Sequence, residues 1–258
     1  MKIALTIAGS DSGGGAGIQA DLKTFARFGV FGTSAITAIT AQNTRGVAGW
    51  TAVPVEMIRA QIDAVVADLR PAATKSGMLA DAAVVEAVAG AIREHALAPY
   101  VLDPVMVATS GDVLLEPDAV AAVRGRLLPL ADLVTPNLDE AEILTGEPVA
   151  DVAGMQRAAR ALVRAGAKAA LVKGGHLSGP EMVDVLFDGE SLQAVRHPRL
   201  ETRNLHGTGC TLSSAIAAHL ALGRPLVHAV RESLDYVHRA IATAPGLGGG
   251  HGPLNHSA

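Results

Sequence analysis

The stretch Ala73–Asp103, ATKSGMLADAAVVEAVAGAIREHALAPYVLD, sets two short apolar runs on either side of a longer helical one. Ala73–Gly77 and Tyr100–Asp103 read as buried strands, and Asp81–His95 reads as a helix. Short continuous apolar strands separated by a helix of about ten residues or more mark a βαβ unit. Such strands are covered on both faces, in a parallel sheet.

The alternation extends in both directions from this unit. Upstream, Ile3–Ala8 reads as a buried strand, Ile18–Phe28 as a helix, Ser34–Thr40 as a second strand and Val55–Leu69 as an amphipathic helix. Downstream, Pro117–Leu128 reads as a helix and Leu133–Thr135 as a strand stopped by Pro136. Helices over Asn137–Leu144 and Val152–Ala165 follow, then a strand over Ala169–Lys173. Met182–Phe187 and Leu192–Val195, joined by Asp188-Gly189-Glu190, predict an antiparallel hairpin. Thr211–Leu222 and Leu226–Thr243 are helical, and a Gly-rich tail closes the chain. No linker or repeat interrupts this order. The expectation is one α/β domain over residues 1–258, with a mostly parallel sheet between two helix layers.

Composition narrows the function classes. Hydrophobic residues make up 49% of the 258 and aromatics 3%, which suits helices packed on a sheet and suits base stacking poorly. The net charge is −4 without a Lys/Arg run, so nucleic acid is not an expected partner. The longest uncharged stretches, near residues 29–44 and 204–223, carry too many polar residues and glycines to span a bilayer, so no membrane partner is expected. One cysteine excludes an intramolecular disulfide framework and fits a reducing cytoplasm.

That cysteine stands in Asn204-Leu205-His206-Gly207-Thr208-Gly209-Cys210-Thr211, where a Gly-rich loop turns into a helix. A lone cysteine is usually a small buried hydrophobe. Gly-Thr-Gly directly before it changes the reading, because a helix start offers unpaired N–H groups and a positive dipole end. Such an end cradles phosphate and favours thiolate over thiol. Gly9-Ser10-Asp11-Ser12-Gly13-Gly14-Gly15-Ala16-Gly17 ends the first strand, and Asp21 lies one turn into the next helix. The loop fits neither a G-x-G-x-x-G fingerprint nor a Walker A loop, which leaves a tight backbone able to approach a small ligand.

Other strand ends carry chemistry too. Gln42 offers donor and acceptor to the edge of a heterocycle. Asp103 precedes Pro104, and Glu140 follows Asn137; one or two such carboxylates suffice for Mg²⁺ beside a triphosphate. Asp139 and Glu142 read as solvated acids at a helix start. Lys173, before Gly174-Gly175-His176, can reach phosphate oxygens. His95, His219, His228 and His238 read as structural or surface residues, without metal-ligand spacing. Together these are the parts of a phosphoryl-transfer site.

The segments Gly9–Lys23, Gln42-Asn43-Thr44, Val101–Met106, Thr135-Pro136-Asn137, Lys173–His176, His206–Leu212 and Gly252–His256 resemble the hydroxymethylpyrimidine/phosphomethylpyrimidine kinases of thiamine biosynthesis. The similarity runs from Ile3 to His256. It implies a ribokinase-like three-layer fold, commonly a homodimer, and two steps dependent on ATP and Mg²⁺ that convert hydroxymethylpyrimidine to its monophosphate and then its pyrophosphate. By resemblance, Gln42, Asp21, Gly9, Met78 and Val105 contact the pyrimidine, while Lys173, Asn137 and Thr208 serve ATP. Asp103 and Glu140 lie near the metal, and Cys210 follows the Gly207-Thr208-Gly209 anion hole. One departure is Thr109, before Ser110-Gly111-Asp112, where a lysine is frequent in the family.

On this reading Cys210 accepts or orients the proton of the substrate hydroxymethyl group in the first step only. The second nucleophile is a phosphate oxygen, already ionised near a pKa of about 6. Pyridoxal kinase activity is the alternative enzyme reading. A silent pyrimidine- or pyridoxal-phosphate-binding protein is a different class, and an NAD-linked oxidoreductase fails for want of the fingerprint.

Overall fold

The computed structural model of the chain describes residues 1–106, 117–175 and 177–258; Thr109–Asp112 and His176 lie outside the described residues. The first half supplies β1 (Ile3–Ala8), α1 (Gly17–Arg27), β2 (Phe31–Ile36), β3 (Ala38–Asn43), β4 (Gly46–Ala52), α2 (Val55–Asp68), β5 (Ala73–Ser76), α3 (Ala82–Glu94) and β6 (Tyr100–Leu102). The second half supplies α4 (Pro117–Ala122), β7 (Leu133–Val134), α5 (Leu138–Thr145), α6 (Val152–Arg164), β8 (Ala170–Val172), β9 (Glu181–Phe187), β10 (Leu192–Pro198), α7 (Thr208–Ala221) and α8 (Leu226–Ala242).

Eight strands form one sheet in the order β10-β9-β8-β7-β6-β5-β1-β2. Pairings from β2 across to β8 are parallel, while β9 and β10 continue the sheet antiparallel. The period of two sorts each strand's side chains between the helix layers. Leu5, Ile7, Tyr100, Leu102, Val134, Ala170 and Val172 join the core under α2 to α6. Ala4, Ala73, Val101, Leu133 and Leu171 face α1, α7 and α8. Both faces are therefore dry, which is why the strands read as unbroken apolar runs. Asp81 and Asp151 cap α3 and α6 by accepting the Val84 and Gly154 N–H groups.

Two expectations are corrected. The single strand over Ser34–Thr40 is two strands in two sheets. Between them the Thr37 N–H donates to the Ala8 carbonyl, and its hydroxyl donates to the Met78 carbonyl. Those bonds stop β2 and send the chain off the main sheet into a separate antiparallel hairpin of β3 and β4. β4 was not expected from the sequence, because Gly46–Ala52 is largely exposed and shows no buried face. The helix over Pro117–Leu128 is α-helical only to Ala122, then winds as a π turn over Val123–Leu127 and a 3₁₀ turn over Leu128–Leu130. Pro129 has no N–H to continue the α ladder.

The direction of travel reverses at β1: β2 lies on one side of it and β5 on the other. Open α/β sheets bind ligands at such a switch point, beyond the carboxyl ends of the strands. There Gly9 follows β1, Met78 follows β5, Asp103 follows β6, Asn137 follows β7 and Lys173 follows β8.

Candidate active site

A cleft of about 500 Å³ opens over these strand ends. Gly9, Gln42, Met78 and Val105 line one part of it. Asp103, Asn137, Glu140, Lys173, Thr208 and Cys210 line the rest, with Gly207 and Gly209 beside them. Of the residues expected at the site, Asp21 alone is missing from the lining. Asp21 is 0% exposed and sits behind the wall, bonded to Lys75 Nζ at 3.0 and 3.1 Å, Thr6 Oγ1 at 2.6 Å and Ser214 Oγ at 2.6 Å. The expected direct contact of Asp21 with substrate is corrected to a buried supporting role.

Gln42 is also placed differently, on β3 of the hairpin instead of in a loop after a sheet strand. Ser12 fixes its backbone: the Ser12 hydroxyl donates to the Gln42 carbonyl at 2.7 Å, and the Gln42 N–H reaches Ser12 Oγ at 2.8 Å. Thr40 Oγ1 lies 3.3 Å from Gln42 Oε1. Gly9 lets Met78 close in, since a Cβ there would stand 3.1 Å from the Met78 sulfur.

α7 starts at Thr208, with Gly207 as its N-cap at φ 83°. A side chain on Gly207 would collide with the Gly15 carbonyl, so the two Gly-rich loops interlock there. Thr208 is spent on the turn: its hydroxyl donates to Leu205 O at 2.7 Å and its N–H to the same oxygen at 3.2 Å. The Gly209 and Cys210 N–H groups belong to the first turn, before intrahelical partners become available. Facing that turn are a cation and a carboxylate, because a Cβ on Gly209 would lie 3.3 Å from Lys173 Nζ and 3.5 Å from Asp103 Oδ2.

Lys173 Nζ is 3.3 Å from Asp103 Oδ1 and 4.0 Å from Glu140 Oε2. Burial disfavours its charge, yet Asp103 and Glu140 hold the ammonium above the ordinary lysine value. Burial pushes Glu140 upward and Asp103 adds to this, against the pull of Lys173. Glu140 also completes a capping box with Asn137: Glu140 Oε2 accepts the Asn137 N–H at 2.8 Å and Asn137 Oδ1 accepts the Glu140 N–H at 2.9 Å. The Asn137 oxygen is thereby committed to the helix start. Asp139 is exposed in the first turn of α5, as expected, at the edge of the cleft; Glu142 Oε1 instead accepts the Val149 N–H at 2.6 Å.

Among the described residues no group of three or more His, Cys, Asp or Glu could hold a metal by itself. Asp103 and Glu140, both in the cleft and flanking Lys173, fit a Mg²⁺ ion that takes its other ligands from phosphate and water.

The thiol departs from expectation. Burial pushes Cys210 up to about 11, against the Lys75 cation, with Asp21 and Asp103 adding to the rise. The Gly17 N–H pulls the other way and does not offset the burial. At neutral pH the group is a neutral thiol.

Two features escaped the sequence reading. Lys75 is 0% exposed, its charge held by Asp21 within a β5 strand that is otherwise small and neutral. A lysine inside the buried-strand pattern was the available signal. Asp11 accepts N–H groups from Gly13, Gly15 and Ala16 at 2.8 to 2.9 Å, and Asp11 Oδ2 lies 2.8 Å from His206 Nε2. Burial would raise the Asp11 carboxyl, but His206 and these amides hold it below the ordinary value. His238, read as a structural or surface residue, lines the cleft, and so does Arg199, which donates to the Gly175, Leu177 and Gly179 carbonyls.

Residues 11–255 match the family model described as phosphomethylpyrimidine kinase. The chain is 57% identical to the hydroxymethylpyrimidine/phosphomethylpyrimidine kinase of Rhizobium meliloti (strain 1021), over 98% of this chain and 96% of that one. It is 48% identical to the Bacillus subtilis (strain 168) protein of the same name, over 99% and 94%. Among solved structures, the Bacillus subtilis pyridoxal kinase in complex with ADP superposes with a TM-score of 0.94 at 38% identity, covering 100% of this chain and 98% of that one. The phosphomethylpyrimidine kinase from Clostridium difficile 630 superposes with a TM-score of 0.84 at 42% identity, covering 93% and 100%.

Proposed function

The chain belongs to the phosphomethylpyrimidine kinase family, and on that premise we propose that it phosphorylates 4-amino-5-hydroxymethyl-2-methylpyrimidine with ATP, first to the monophosphate and then to the pyrophosphate, for thiamine biosynthesis. The observation that carries the reading is the shared cleft: an amide and a thioether, Gln42 and Met78, open onto the same space as Lys173, Asp103 and the start of α7.

Gln42 presents donor and acceptor to the pyrimidine edge, with Met78, Val105 and Gly9 closing on the ring. Lys173 and the Gly209 and Cys210 N–H groups neutralise the transferring phosphoryl group, and Asn137 and Thr208 shape the ATP side. Asp103 and Glu140 would hold Mg²⁺, which would supply positive charge against the triphosphate. Cys210, a neutral thiol, orients the attacking hydroxymethyl oxygen in the first step. Its role is positional, since a group with a pKa of about 11 is protonated at neutral pH. The second step presents an anionic phosphate and needs no such help.

Pyridoxal phosphorylation is the second reading, favoured by the superposition on the Bacillus subtilis pyridoxal kinase. Homodimeric assembly belongs to the same proposal and would cover Ile39 and Trp50, exposed on the hairpin; light scattering reads it directly. The single cysteine supports a cytoplasmic setting, and no described helix is long and apolar enough to cross a membrane.

A ³¹P NMR time course with Mg-ATP and hydroxymethylpyrimidine, run beside pyridoxal, tests the assignment. A monophosphate giving way to a pyrophosphate supports both steps. Product from pyridoxal alone moves the reading to vitamin B6 salvage, and no transfer to either sinks both.

A further inference from the structure

The Gly-rich tail contributes no residue to the cleft lining, yet it is packed between the hairpin that carries Gln42 and the loop that leads into α7. At one end the His251 N–H donates to the Thr44 carbonyl at 2.7 Å, and the Gly250 N–H to Thr44 Oγ1 at 3.3 Å. Thr44 is the first of the two turn residues of the hairpin, two positions after Gln42. At the other end the His206 N–H donates to the Gly252 carbonyl at 3.1 Å, and His206 and Pro253 form a parallel bridge. The far side is anchored: Leu254 is buried, the Asn255 N–H donates to the Ala240 carbonyl, and the Tyr236 hydroxyl donates to the His256 carbonyl.

Three of the glycines are required by contact. A Cβ on Gly250 would collide with the Thr44 carbonyl, one on Gly248 with the Thr44 side chain, and one on Gly252 with Asn204 Oδ1. A Cβ on Gly249 would meet only the flexible Arg45 guanidinium, at 3.1 Å.

We propose that Gly248–Pro253 is a positioning strap for the substrate pocket, setting Gln42 through Thr44 and bracing the approach to α7 through His206, and so governing the fit of the heterocycle more than that of ATP. The proposal rests on the assignment of the cleft to a pyrimidine substrate. Both clamped segments are tied onward into the first Gly-rich loop, the hairpin at Gln42 by Ser12 and the α7 approach at His206 by Asp11. One segment therefore registers the hairpin, that loop and the approach to α7 against one another.

Steady-state kinetics on Gly250→Ala, Gly249→Ala and Thr44→Val, with pyrimidine and ATP varied separately, give the test. Hydrogen exchange of the β3–β4 hairpin amides is measured on the same proteins and needs no turnover. Gly250→Ala is expected to raise KM for the pyrimidine about tenfold with KM for ATP within about twofold, and to speed hairpin exchange. Gly249→Ala shifts both less, and Thr44→Val moves them in the same direction while introducing no clash. If Gly250→Ala does not fold, Thr44→Val decides by the same criteria. Equal rises in both KM values, equal effects of Gly249→Ala and Gly250→Ala, or an unchanged hairpin overturn the strap. Absence of pyrimidine turnover in the unmodified protein refutes the assignment instead, and the exchange data still report the clamp.

Discussion

The Lys75 ammonium lies 3.0 Å from Asp21 Oδ2, with both side chains sealed from solvent, and Ser214 on α7 donates to the same carboxylate from one turn beyond Cys210. Positions four apart share a helix face, so the ion pair stands on the side of α7 that also carries the thiol. A buried pair of this kind is costly to make and more costly to halve.

Lys75→Met leaves Asp21 charged and uncompensated in the core. We expect it to lower the free energy of unfolding by about 3–5 kcal/mol, and Lys75→Met with Asp21→Leu to recover much of that loss. Urea unfolding of both variants measures it; a double variant no better than the single would show that the pair is not the source.

Cys210→Ala is expected to slow formation of the monophosphate roughly 10²-fold, as misplacement of a reacting group does, while leaving the pyrophosphate step within about threefold. Cys210→Ser, which keeps a neutral hydrogen-bonding group, retains more first-step activity than Cys210→Ala. Alkylation by iodoacetamide should rise with pH toward the thiol value of about 11, not through neutrality. A midpoint near 7 would restore the thiolate reading.

Glu140→Gln keeps the shape of the capping box and removes a charge beside Lys173. Apparent Mg²⁺ affinity should weaken by about tenfold or more, with little change in melting temperature. A titration of rate against free Mg²⁺ checks this, and unchanged dependence would remove Glu140 from the metal's surroundings.

Burial, with Lys23 and His206 nearby, lowers His256 to about 4. An unfolded histidine titrates near ~6.5, so between those values the unfolded chain binds the extra proton. The stability contribution is complete above about 6.5 and is lost as pH falls toward 4. His256→Gln should flatten that slope in pH-dependent thermal unfolding, whereas an identical slope would place the proton uptake elsewhere.

Much of this was legible in the chain. The βαβ order, the antiparallel pair at the sheet edge and the helices starting near Asp81 and Asn137 follow from local periodicity and turn chemistry, which short segments carry by themselves. Lys173, Asp103, Gln42 and the Gly-Thr-Gly before Cys210 were visible because strand ends and helix starts are where a parallel sheet presents chemistry. The β3–β4 hairpin was not, because its departure from the sheet is decided at Thr37 by bonds to Ala8 and Met78 from distant strands.

The sequence by itself determined the layers, the strand ends and the residue types gathered there, because pattern and propensity act over a few residues. Only the tertiary structure showed that Asp21 is buried against Lys75, and that burial raises the Cys210 thiol. It alone placed the tail against Thr44 and His206. Charge state and clamping depend on what stands within a few ångströms, and those neighbours come from chain positions as far apart as Asp11 and His206.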